Sequence, residues 1–290
     1  MADESEDKRE DKSEQKSDAE NQDTKSEERA ESLASPTGKI VYAAIRSEGE
    51  DELKRTTSAL AWSGLAAGLS MGFSLVTQGL LHQHLNVFPG RPLLVSLGYA
   101  VGFLIVILGR QQLFTENTLT VILPLLVKRD GGTLRNVARL WTTVLLANLV
   151  GAALFAYAVA RTNALNEGAR EGMLRVAQAA FNGSFATTFV RGIFAGWLVA
   201  MMVWLLPFAE TARVWVIIII TWLVGAASFS HVIAGAVEMF YLVFRGNISW
   251  LDCFGSFIIP AFLGNVVGGV SLVAAITHAQ VVAGGGGQDL

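Results

Sequence analysis

The sequence predicts an all-α membrane protein whose six transmembrane helices form a 3+3 inverted repeat, with the second and fifth helices broken. Three observations predict it. Hydrophobic residues make up 52% of the 290 and charged residues 16%, and the mean hydropathy is +0.44, above a soluble average. Six apolar runs are long enough to cross a bilayer. Two of them are interrupted by short polar residues, GRQQLFTENT from Gly109 to Thr118 and GAASFSHVIAG from Gly225 to Gly235. Each interruption precedes a small-residue helix centred on an asparagine: Asn148 lies 33 residues after Thr115, and Asn265 lies 34 after His231. Non-helical backbone at membrane depth survives only where it is buried in protein or lines a cavity. Two such breaks at matching places in two halves point to a transport pathway.

Taken in order, residues 1–38 hold thirteen Asp/Glu and six Lys/Arg, with no Leu, Ile, Val, Phe, Trp or Tyr before Leu33. They have too little apolar surface to fold alone and read as a disordered acidic cytoplasmic tail. The tail carries a net charge of −7, which leaves +4 on the body. No charged segment followed by an apolar stretch opens the chain, so no cleavable signal peptide is expected. Residues 39–56 suit an amphipathic helix on the cytoplasmic interface, or a linker. The spans are expected at 57–81, 93–128 with a break at 110–115, 134–160, 185–208, 212–244 with a break at 228–233, and 252–278. A flexible tail is expected over 279–290.

Gly64, Gly68 and Gly72 in the first span, and Gly192 and Gly196 in the fourth, give small-residue faces on which helices approach closely in lipid. Three helices repeated once, an odd number per unit, places the two units in opposite orientation. An amino terminus inside puts Lys54, Arg55, Lys128, Arg129, Arg135, Arg139 and Arg213 in the cytoplasm, against Arg91, Arg161, Arg170, Arg175 and Arg245 outside. The placement expected is multi-pass in a bacterial inner (cytoplasmic) membrane with both termini cytoplasmic.

Other classes find little support. HExxH, GxSxG and Walker A patterns are absent, and Ser230 directly precedes His231, a spacing that does not aim a nucleophile at its base. No enzyme, cofactor or metal is expected. The acidic tail opposes nucleic-acid binding, and the lone Cys253 excludes an intramolecular disulfide.

Leu113-Phe114-Thr115 at the first break, Phe229-Ser230-His231 at the second, and Ile259 to Gly269 (IPAFLGNVVGG) in the last span resemble the formate/nitrite transporter family. The likeness covers 57–278. It implies an aquaporin-like bundle assembled as a homopentamer, with one pathway per protomer, passing small monovalent anions such as formate, nitrite or hydrosulfide with proton coupling. The chain departs from the family pattern at Arg110, Gln111 and Gln112, at Glu116, at Gly235 in place of an asparagine, and at Ala180 where a vestibule lysine is usual.

The candidate pathway residues are therefore His231, Thr115, Leu113, Phe114, Phe229, Ser230, Asn148 and Asn265. An ionisable His231 in a membrane interior faces a cavity, where an imidazole of ordinary pKa about 6.5 exchanges protons, or else is a neutral ring bonded to a carbonyl. Thr115 bonds substrate or braces its loop. Leu113, Phe114 and Phe229 form apolar constrictions on the resemblance, or core packing. Arg110 pairs with Glu116 or Glu238, or stands as a cation that attracts anions. His231 and Glu238, seven apart, share a face only if the helix is continuous, which the small-residue break argues against. His82, His84 and His278 read as interfacial. The function expected is a channel or secondary transporter for small monovalent anions of weak acids, coupled to protons, with His231 as the proton-exchanging centre. The alternatives are a neutral small-solute channel or a non-conducting membrane scaffold acting through its acidic tail.

Overall fold

The computed structural model describes residues 37–181 and 184–283; most of the acidic tail, and the C-terminal tail beyond 283, lie outside the described residues. The described chain is helical. After α1 (Gly38–Lys54) come α2 (Thr57–His84), α3 (Arg91–Leu97), α4 (Tyr99–Leu108), α5 (Ile122–Lys128), α6 (Gly131–Arg161) and α7 (Glu167–Ala180). They are followed by α8 (Phe185–Leu205), α9 (Arg213–Ala226), α10 (Val232–Phe244) and α11 (Trp250–Ala283). Five stretches are long and apolar enough to cross a membrane: α2, the α3 and α4 run Arg91–Leu108, α6, Phe185–Phe208 and α11. The apolar run between Arg213 and Phe244 is divided between α9 and α10.

Local chemistry sets the helix ends. Thr56, Asp130, Asn166 and Ser184 precede α2, α6, α7 and α8, and each side chain accepts a first-turn backbone N–H. Such caps contribute about 1 kcal/mol apiece. Ser249 and Asp252 form a reciprocal capping box at the start of α11. That helix runs to Ala283, five residues past the expected end of the span, and contains π-helical turns at Cys253–Ile258 and Val267–Ala275.

Two helix pairs make the frame, α2 on α6 and α8 on α11. Both depend on glycine at the crossing. A Cβ on Gly68 would run into the backbone of Asn148, and one on Gly196 into the backbone of Asn265. These are the small residues singled out in the sequence, and the contacts show why a larger residue is excluded. The short α10 packs against α6, α7, α2 and the start of α11, while α5 packs against α1, α6 and the second π-helical stretch of α11.

The helix α1 is amphipathic and buries Tyr42, Ile45, Gly49 and Leu53 along one side. The Arg139 guanidinium satisfies its otherwise unpaired end, donating to the carbonyls of Leu53 and Arg55 at 2.9 Å each. At the other end Tyr42 Oη and His278 Nδ1 lie 2.7 Å apart, tying α1 to the last turns of α11.

Candidate functional site

The first interruption follows α4. Gly109, Arg110 and Gln111 donate their N–H groups back to Ile105, Ile107 and Val106, and Arg110 has φ +48°. The second follows α9 in the same way: Ala227, Ser228 and Phe229 donate to Leu223, Gly225 and Val224, and Ser228 has φ +55°. This pattern ordinarily uses glycine at the left-handed position; here arginine and serine occupy it.

Each interruption is held by one asparagine. Asn148 Oδ1 accepts the Phe114 N–H at 2.9 Å, and its Nδ2 donates to the carbonyls of Gly64 at 2.7 Å and Gln112 at 2.8 Å. Asn265 Oδ1 accepts the Val232 N–H at 2.9 Å, and its Nδ2 donates to Gly192 at 2.9 Å and Ser230 at 2.8 Å. Both side chains are fully buried. A primary amide carries an acceptor and two donors, so it satisfies backbone groups that a break leaves without helical partners.

Further bonds within the first interruption run from Asn117 Nδ2 to Gln112 Oε1 and from the Thr118 hydroxyl to the Thr115 carbonyl. Trp141 Nε1 donates to the Asn117 carbonyl from α6.

Thr115 and His231 bring the two interruptions together, with Thr115 Oγ1 and His231 Nε2 2.7 Å apart and both residues buried. His231 is also the N-cap of α10, its Nδ1 accepting the Ala234 N–H at 3.2 Å. A ring nitrogen that accepts an N–H carries no proton, so the hydrogen sits on Nε2 and points at Thr115. Phe103 meets the imidazole edge-on at 4.9 Å between ring centres.

A cavity of about 410 Å³ reaches His231. Ser228, Phe229, Ser230 and Glu238 line it, as do His82, Arg91, Tyr99 and Arg175. A second cavity, of about 580 Å³, is lined by Arg110, Gln111, Gln112, Glu116 and Arg213, with Glu48, Asp51, Glu52 and Arg55 from the α1 side. His231 belongs to the first, whereas Thr115 lies along the chain between Gln112 and Glu116 of the second. Thr115 itself lines neither cavity; its chain neighbour Glu116 lines the second. Within the second cavity Gln111 Oε1, Glu116 Oε1 and Arg213 Nε are buried with no hydrogen-bond partner among the described residues. Burial holds the Glu52 carboxyl above its ordinary pKa, and the neighbouring Arg55 partly offsets this.

Several expectations need correction. Among the described residues no ion pair joins Arg110 to Glu116 or Glu238; Arg110 is exposed in the second cavity, and Glu238 lies in the first. Because α10 runs unbroken from its cap at His231, Glu238 stands two turns further on and lines the same cavity, contrary to the expectation that the break parts them. Leu113 and Phe114 are fully buried and line neither cavity; Phe114 packs on Trp141 and Phe262. Phe229 lines the first cavity and stacks on Phe194. His82, expected at an interface, lines the first cavity beside Arg91, whose Nη2 lies 3.0 Å from its ring and donates to its carbonyl. Ala180 and Arg175 line that cavity together. Tyr99, Arg91 and Arg213 are not among the candidate pathway residues read from the sequence, since nothing around them distinguishes them from helix-end or core residues.

Comparison with known proteins places these features. Residues 39–279 match the model of the formate/nitrite transporter family. The inner membrane protein YfdC of Escherichia coli strain K12 is 41% identical over 241 residues, covering 83% of this chain and 78% of that protein. The formate channel BtFdhC of Bacillus thuringiensis is 27% identical, covering 78% of this chain and 88% of its own length. A solved structure described as a pentameric formate channel with formate bound superposes with a TM-score of 0.66 at 20% identity, covering 78% of this chain and 98% of that one.

Proposed function

The chain belongs to the formate/nitrite transporter family, a multi-pass integral membrane family, and from that premise we propose that it is a channel or secondary transporter for small monovalent anions of weak acids. Formate, nitrite and hydrosulfide represent the class, and the anion moves together with a proton. We read the body as six spans in a 3+3 inverted repeat, with α3 to α5 as the broken second span and α9 with α10 as the broken fifth. The matching bonds of Asn148 and Asn265 support that reading. The pentameric state of the solved formate channel supports a homopentamer here, and the Lys and Arg distribution supports cytoplasmic termini.

The observation that carries the proposal is the Thr115 to His231 contact, with one cavity reaching His231 and a second lined by Gln112 and Glu116 close to Thr115 in the chain. A small anion entering a narrow apolar passage loses its hydration, and protonation removes most of that cost because a neutral acid has little charge to solvate. Where the passage closes, the Nε2–H of His231 and the Thr115 hydroxyl are the polar groups that take over from water. Protonating the ring would displace the Ala234 N–H from Nδ1. His231 therefore serves as a hydrogen-bonding centre, and the proton is exchanged elsewhere.

The test is flux into liposomes holding the purified protein, comparing formate, nitrite and hydrosulfide with a small neutral solute, with and without a pH gradient. Gradient-dependent entry of at least one of the three anions is expected. Entry of the neutral solute alone would replace this reading with a neutral-solute channel, and no flux at all with a scaffold.

A further inference from the structure

Glu238 is the acidic side chain that lines the first cavity. It is 6% exposed and makes no hydrogen bond or ion pair with another described residue. Tyr99 lines the same cavity at 5% exposure, and its hydroxyl likewise bonds to no described residue. A buried carboxyl is ordinarily paired, because an unmatched polar group costs more than a matched one returns. Glu238 and Tyr99 instead present unused hydrogen-bonding capacity to a space large enough for a small molecule. His231, seven residues before Glu238, has both ring nitrogens engaged.

The charged and titratable groups sharing this space lie on several elements. Helix α2 contributes His82, α3 contributes Arg91, α4 contributes Tyr99, α7 contributes Arg175, and the start of α10 contributes His231. Arg175 is paired with Glu171 at 2.9 Å, and Arg91 is bonded to His82. The cavity thus holds one guanidinium, that of Arg91, with no carboxylate partner among the described residues and able to attract an anion, and a carboxyl free to give it a proton.

We propose that Glu238, assisted by Tyr99, is the proton donor that converts a weak-acid anion to its neutral form before it passes between Thr115 and His231. This rests on the weak-acid reading given above. The carboxyl O–H bond breaks as a new O–H, or S–H for hydrosulfide, forms on the anion, and the Tyr99 hydroxyl donates to the carboxylate left behind. Hydronium reaching the same cavity from solution returns a proton to Glu238 and leaves water. The neutral acid crosses and gives its proton to water in the second cavity, so one anion and one proton cross together and Glu238 ends as it began. A strong-acid anion gains nothing from the step, so Glu238 also selects for substrates that can accept a proton.

The experiment measures sodium formate entry and lumen acidification together in proteoliposomes of the wild type, Glu238→Gln and Glu238→Asp. Infrared difference spectra of each on formate addition accompany the flux. Glu238→Gln is expected to slow formate entry by roughly a hundred-fold, the scale of the penalty for carrying an unneutralised charge. Glu238→Asp, which keeps a transferable proton, is expected to retain much of the rate. The wild type should show a carboxyl C=O band that responds to formate, is shifted in Glu238→Asp and is absent from Glu238→Gln. Wild-type flux and acidification in Glu238→Gln would overturn this assignment and leave the weak-acid reading standing. A wild type that moves none of formate, nitrite and hydrosulfide would overturn both. Should Glu238→Gln fail to fold, a wild-type carboxyl band indifferent to formate still overturns the assignment.

Discussion

Asn148 and Asn265 stand 117 residues apart in the chain and do the same work: each amide oxygen accepts one backbone N–H, and each amide nitrogen donates to two carbonyls. In both cases one of the two carbonyls belongs to a neighbouring glycine-rich helix, Gly64 on α2 or Gly192 on α8. Each asparagine therefore fixes the path of an interruption and the spacing of two helices at once.

Replacing either asparagine by alanine leaves one N–H and one carbonyl of the interruption unpaired in a dry site, and removes the tie to Gly64 or Gly192, whose carbonyls keep their helical partners. We expect Asn148→Ala and Asn265→Ala each to destabilise the protein by about 2 kcal/mol, measured by thermal unfolding in detergent. Asn148→Asp should be at least as damaging, because its second oxygen faces the carbonyls of Gly64 and Gln112. Melting of Asn148→Asp above Asn148→Ala would show that the donor contacts contribute little.

Arg110 and Ser228 sit in left-handed backbone geometry, which disfavours any side chain with a Cβ by roughly 1–2 kcal/mol. The Arg110 side chain has no ion pair to lose. Arg110→Gly and Ser228→Gly are each expected to raise the unfolding temperature. If Arg110 also draws anions into the second cavity, Arg110→Gly lowers formate flux while raising stability. A fall in stability would mean that the guanidinium holds the interruption together.

His231 has two separable tasks, capping α10 through Nδ1 and meeting Thr115 through Nε2. Asparagine is a strong N-cap residue, so His231→Asn should keep the helix start, whereas His231→Phe loses about 1 kcal/mol from the missing cap. Thermal unfolding of the two variants checks the difference. Equal destabilisation would remove the capping role.

Asp130 caps α6 from outside the membrane-spanning segments, and its pKa is lowered by bonds from the Thr133 hydroxyl and backbone N–H. A lowered folded-state pKa means that the carboxylate favours folding above the unfolded pKa, and that this contribution is lost as pH falls through the folded value. Stability of the wild type should therefore fall at the acid end more steeply than that of Asp130→Asn, which keeps a neutral cap. Parallel acid profiles would show that Asp130 does not couple folding to pH.

What the sequence made legible follows from how rarely polar groups are left in apolar helices. Gly109 and Ala227, where regular helix has ended, fall within polar or small-residue interruptions, and Asn148 and Asn265 are conspicuous among alanine, leucine, valine and glycine. The small-residue helix faces could be read for the same reason. The Thr115 to His231 contact joins residues 116 apart and depends on the tertiary approach of the two interruptions, which no local pattern records. His231 as an N-cap was hidden because histidine is an uncommon cap. The neighbours of Glu238 in the first cavity come from six other helices, so Tyr99, Arg91 and His82 looked like ordinary core and interface residues. The expected partnership of Arg110 with an acid rested on the cost of an unpaired charge at mid-membrane. Its side chain lies exposed in a cavity, where water lowers that cost.

The most direct test of the proposed route is formate uptake driven by a pH gradient, acid outside, in liposomes holding either the wild type or His231→Phe. The wild type is expected to accumulate formate only with the gradient, with one proton entering per formate. His231→Phe, shown to be folded and of the same oligomeric size by gel filtration, is expected to take up little, because a phenyl ring offers no hydrogen bond where the passage closes. Uptake by the folded His231→Phe variant at the wild-type rate would contradict the claim that the acid passes between Thr115 and His231.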